Sequence, residues 1–279
     1  MSPTDSKART DPPELRREFV GMMFAITVGE IGLQAASLVQ AGHELHYLPA
    51  YSHLFLATFV VAASWVGWSR SAIPGAREDV EEVFQWAFVV LLLDVTMVVT
   101  YFILVRTVDF GGGQHRIDSA YAVAGWHVLI FALYLAWDFV TKVMMYERNE
   151  MGWWKGWKHL DDALQKKRNE RFRRIVPTAI CLGLSLYLWR TFKSATDERL
   201  LTADFALLSV VLLFRALKSL VDAIWWKGAP KRRRRLGFRV FWAVACVAGF
   251  LVGTWITVRS SPLPHLGLGV VQAIRTPVP

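Results

Sequence analysis

Long apolar runs separated by short polar connections set the pattern of this chain. Seven runs approach or exceed the length of a membrane crossing: Phe19 to Gln40, Tyr51 to Ser69, Val83 to Val105, Ala120 to Tyr146, Ile175 to Phe192, Leu201 to Trp226 and Phe238 to Val258. A helix rises about 1.5 Å per residue and a hydrocarbon core is about 30 Å thick, so about 20 apolar residues suffice. The pattern predicts an all-α, polytopic transmembrane helix bundle with about seven spans.

Polar residues inside these runs fall on helical stripes. The third run is apolar apart from Gln85, Thr96, Thr100, Tyr101 and Asp94, and Asp94 falls near its centre. An ionisable group at that depth faces a bundle interior or a wet cavity, so Asp94 is the first functional candidate. The first run places Thr27, Glu30, Gln34 and Ser37 on one face and the small residues Ala25, Gly29, Gly32 and Ala36 on another. That combination predicts a central helix. The second run shows His53, Ala57, Ser64 and Trp68 on roughly one face, suited to packing.

The fourth run carries His127, Phe131, Tyr134, Asp138 and Lys142 at helical spacing, with Lys142 one turn from Asp138. The fifth has Pro177 in its expected first turn and otherwise only Thr178 and Ser185 as polar groups. The sixth carries Asp204, Arg215, Lys218 and Asp222 on one stripe, and the seventh repeats small residues at Ala245, Gly249, Gly253 and Thr257. Packing within the chain accounts for that last stripe, and a homo-oligomer is carried as a further expectation.

Composition agrees with a membrane protein: 54% of the 279 residues are hydrophobic and the mean hydropathy is +0.31. The net charge of +9 is unevenly distributed. With the N-terminus inside, 22 of the 32 Lys and Arg fall in inner segments, 7 in outer segments and 3 within spans. Positive charge gathers on the inner side of membrane proteins, so the N-terminus is expected inside and the C-terminus outside. The resulting segments are a cytosolic N-terminus (1–18), a four-span unit (19–146), a cytosolic basic segment (147–174), a three-span unit (175–258) and an external tail (259–279).

The basic segment mixes Trp153, Trp154 and Trp157 with Lys166, Lys167, Arg168 and Arg171. This composition predicts an amphipathic helix on the anionic lipid of the inner leaflet; a nucleic-acid partner is the less favoured reading of the same charges. The partners expected are therefore the lipid bilayer and anionic lipid, in a plasma or inner membrane.

Six of the seven histidines are expected on the outer side. His43, His46, His53 and His127 are candidates for metal ligation or proton sensing, set against the commoner reading of solvated histidines. Cys181 and Cys246 lie in apolar runs, where a cysteine acts as a small hydrophobe. The sequence contains no P-loop, dinucleotide-binding glycine turn, HExxH, GxSxG or CxxC motif. Ser64, Ser185 and Ser209 lack a histidine at the same expected depth, so an enzyme is not favoured. No cofactor is expected.

The reading that follows is a buried ionisable network of Glu30, Asp94, Asp138 and Arg215, joined by Lys218, Asp222, Gln34 and Tyr134. In it Arg215 pairs with Asp94, and Glu30 is left to handle a proton or cation. Such a network suits an ion or small-solute channel or transporter. The alternative is a non-enzymatic membrane scaffold, sensor or pore-forming effector, acting through its basic segment, with the same charges serving as glue between helices.

Overall fold

The computed structural model describes residues 15–41, 48–71, 86–109, 116–144, 162–193 and 200–225, with eight further positions between 241 and 255. Among the described residues six long helices carry the architecture: α1 (Leu15–Ala41), α2 (Leu48–Ser71), α3 (Trp86–Val105), α4 (Ala120–Phe139), α5 (Asp162–Phe192) and α6 (Leu200–Trp225). All six are long and apolar enough to cross a membrane, which makes this a multi-pass integral membrane protein. Helix is the form these runs take because in hydrocarbon each backbone N–H must find its partner within the segment.

Between α3 and α4 lies a short antiparallel bridge of β1 (Val108–Asp109) and β2 (Arg116–Ile117), with Val108 opposite Ile117. Ser119 starts α4 by accepting the Ala122 N–H with its hydroxyl. The same helix ends in a π turn, Val140–Met144. Helices α1, α2 and α3 pack on one another, as do α4, α5 and α6, and the two groups meet along α2 with α6 and α3 with α4. On α6 the buried side chains Ala203, Ala206, Leu207 and Val210 form a slim ridge that permits close approach.

Three expectations are corrected. Helix α1 is peripheral, because its small face points away from the bundle: Ala25, Gly29, Gly32 and Ala36 are exposed, and nothing stands within 4 Å of where a Cβ would sit at Gly29 or Gly32. Its polar face turns inward instead, with Thr27 and Gln34 buried. Pro177 is inside α5 and not in its first turn, since that helix begins at Asp162. The backbone of Lys166, Lys167, Arg168 and Arg171 therefore continues the helix of the fifth span, so this part of the basic segment is not a separate helix. Trp153, Trp154 and Trp157 lie outside the described residues, as do His43 and His46. The seventh run lies mostly outside them too; its eight described positions are helical, and a Cβ at Gly249 would sit 3.5 Å from Ser209 Oγ of α6.

Candidate solute cavity and its charged wall

The two ends of the bundle carry different chemistry. In the half of the bundle that holds the start of α1, Asp94 is fully buried near the middle of α3, and its Oδ2 accepts from Arg16 Nε at 3.0 Å and Nη2 at 2.7 Å. The expected partner, Arg215, is thus replaced by Arg16. The physical reason is that α1 starts at Leu15, earlier than its apolar run suggests, so Arg16 belongs to the helix and reaches α3 along the seam between them. The indoles of Trp68 and Trp137 stand beside the same carboxylate.

Glu30, expected to be left for ion handling, is also paired. Its Oε1 accepts from Arg106 Nη1 at 2.8 Å and from Gln34 Nε2 at 2.7 Å. Arg16 to Glu30 spans about 21 Å of helix and Asp94 to Arg106 about 18 Å, so α1 and α3 run parallel with an ion pair near either end of their contact.

Asp138 joins three helices. Lys142 Nζ lies 2.5 Å from Oδ1, Lys218 Nζ of α6 lies 3.0 Å from Oδ2, and Thr178 of α5 donates to Oδ2 at 2.5 Å. Lys142 is the partner that the i,i+4 spacing indicates, and it sits in the π turn that closes α4. Lys218 also lies 4.8 Å from the Phe214 ring centroid and 5.7 Å from that of Tyr134. Asp222 falls in the last turns of α6, one helical turn beyond Lys218.

Between these groups lies a cavity of about 670 Å³. Its walls carry Asp94, Lys142, Arg174, Arg215 and Lys218, with Tyr101, Tyr134, Trp137 and Phe214 among its aromatic surfaces. Along α2 it extends from Trp68 to Phe59, about 14 Å, or about two-fifths of the helix. Gly67 is part of its construction: a Cβ there would sit 2.9 Å from Arg215 Nη1, so the bare backbone gives the guanidinium room against α2. Beside Phe214, which meets Phe131 edge to face at 5.3 Å, a separate void of about 20 Å³ is lined in part by His127.

The other end is closed by a buried polar cluster that sequence reasoning did not assemble. Asp204 accepts from Ser52 and contacts His53 Nδ1, and His53 Nε2 faces the Asp118 carbonyl at 3.4 Å. Ser, His and Asp meet here, but Ser52 bonds the carboxylate and not the imidazole. The Ser–His hydrogen bond that activates a hydroxyl is missing from this arrangement. His127 is fully buried, with Nδ1 3.0 Å from the Val123 carbonyl. Among the described residues no three His, Cys, Asp or Glu side chains come together as metal ligands. A signal for this cluster existed: His53 and Asp204 each lie about one turn inside the same end of an apolar run.

No family model, curated protein or solved structure matches this chain.

Proposed function

We propose that the protein moves a small solute or ion across the membrane and that the cavity is its solute site. The observation that carries this reading is the cavity itself, which runs along about two-fifths of α2 and combines aromatic walls with fixed charge. Its volume lies in the range of small-molecule sites, about 300 to 1,000 Å³. The roles of the charged residues change with their partners. Asp94 and Asp138 are held by Arg and Lys, so they position cations and do not carry an ion themselves.

In this scheme the Asp94 half of the bundle faces inside, which the excess of Lys and Arg in the inner segments supports, and the membrane is a plasma or inner membrane. The helical positions between 241 and 255 support a seventh crossing that would bring the C-terminus outside. Trp153, Trp154, Trp157 and the basic run through Arg171 would anchor the chain to anionic lipid.

A second reading has its own observation. The three buried carboxylates among the described residues, Asp94, Asp138 and Asp204, all bond side chains on other helices. Helix glue would produce that pattern in a scaffold, sensor or pore-forming effector. Purified protein in liposomes separates the two: a transporter or channel gives solute flux or conductance that Arg215→Gln reduces, and a scaffold gives neither.

A further inference from the structure

We propose that the cavity selects an organic anion: a carboxylate or phosphate borne on an apolar, preferably aromatic, body. The proposal rests on the reading of the cavity as a solute site and names its ligand class.

The charge of the wall favours an anion. Among the described residues, the lining carries four cationic side chains, Lys142, Arg174, Arg215 and Lys218, and one carboxylate, Asp94, which Arg16 already holds. In a low-dielectric wall such an excess raises the local concentration of anions and disfavours cations.

The cationic groups are also held in place. Asp138 and Thr178 stand behind the wall and fix two ammonium groups, and Lys218 is held further by the faces of Phe214 and Tyr134. Gly67 leaves a notch that receives the Arg215 guanidinium, whose planar fork suits carboxylate and phosphate oxygens. Arg174 occupies an exposed position on the cavity lining, where an arriving anion would meet it.

The rest of the lining is largely aromatic and aliphatic. Tyr101, Tyr134, Trp137, Phe24 and Phe214 offer ring faces and edges to the body of a ligand, more than a bare inorganic ion would use. An anionic lipid headgroup and a soluble aromatic acid share this chemistry, and the experiment separates them.

Full-length protein in phosphatidylcholine nanodiscs is titrated calorimetrically with phenyl phosphate, benzyl alcohol and benzylamine. Phenyl phosphate should bind at least about tenfold more tightly than the neutral or the cationic analogue. Arg215→Gln should weaken it about tenfold or more, and Arg215→Lys should restore part of the loss. Arg174→Gln, at an exposed site, keeps the test available if Arg215→Gln does not fold. Repeating the titration in discs containing phosphatidylglycerol identifies the source: competition marks a lipid headgroup as the resident anion, and an unchanged affinity marks a soluble one. Absent binding, equal binding of the three probes, or phenyl phosphate binding indifferent to both Arg215→Gln and Arg174→Gln overturns the proposal. Binding without flux removes the transport reading and leaves the anion site standing.

Discussion

Arg16 and Asp94, 78 positions apart, form the ion pair that fastens the start of α1 to the buried flank of α3. The two partners are unequal: the Asp94 side chain is 0% exposed and that of Arg16 27%. Arg16→Gln should therefore leave a buried carboxylate without its counter-charge, at a cost of about 3 to 5 kcal/mol. The double variant Arg16→Gln with Asp94→Asn should lose less than the sum of the two single changes. Thermal unfolding of the four proteins in detergent measures the coupling, and strict additivity would refute it.

The second clamp of the same two helices should behave differently. Arg106 is 46% exposed, so Glu30→Gln should cost only about 0 to 1 kcal/mol, and that loss should shrink as salt is raised. Flux should survive the change, since Glu30 is occupied by Arg106 and Gln34. Abolished flux in a stably folded Glu30→Gln protein would restore Glu30 as an ion-handling group.

Gly67 is expected to be intolerant of bulk for a reason that lies on another helix. Gly67→Leu would place its side chain where the Arg215 guanidinium runs and should destabilise by about 1 to 3 kcal/mol. Adding Arg215→Ala should relieve much of that cost. A double variant as unstable as Gly67→Leu alone would show that α2 and not Arg215 rejects the side chain.

Sidedness can be read by chemical labelling in sealed vesicles of known orientation. On a cysteine-free background, Leu45→Cys should react with an impermeant maleimide from outside and Gln165→Cys only from inside. The reverse pattern would invert the placement of the cavity.

The helices were legible in the sequence because a run of about 20 apolar residues has few other stable forms in a bilayer. The Asp138 and Lys142 contact was legible too, being one helical turn within a single element. The arrival of Lys218 and Thr178 at the same carboxylate was not, because no periodicity records which faces of α4, α5 and α6 meet. Arg16 was hidden by hydropathy itself, which ends a span at the first charges although an arginine stem packs readily along a helix seam. The orientation of α1 was misread because two of its faces could serve a core. Its small face suited close packing, yet the face bearing Thr27, Glu30 and Gln34 turned inward, where Gln34 and Arg106 hold the Glu30 carboxylate.

The clamp between α1 and α3 imposes an order on synthesis. Arg16 leaves the ribosome 78 residues before the carboxylate that neutralises it. At about 5 to 20 residues per second, that is a wait of about 4 to 16 s. During it, the nascent first helix must keep its guanidinium in the headgroup zone or in the insertion machinery, and only the emergence of Asp94 lets it settle at its final depth. A chain ended before Trp86 should therefore be degraded faster than the same fragment carrying Arg16→Leu. Equal lifetimes in a pulse-chase experiment would show that α1 finds its depth without α3.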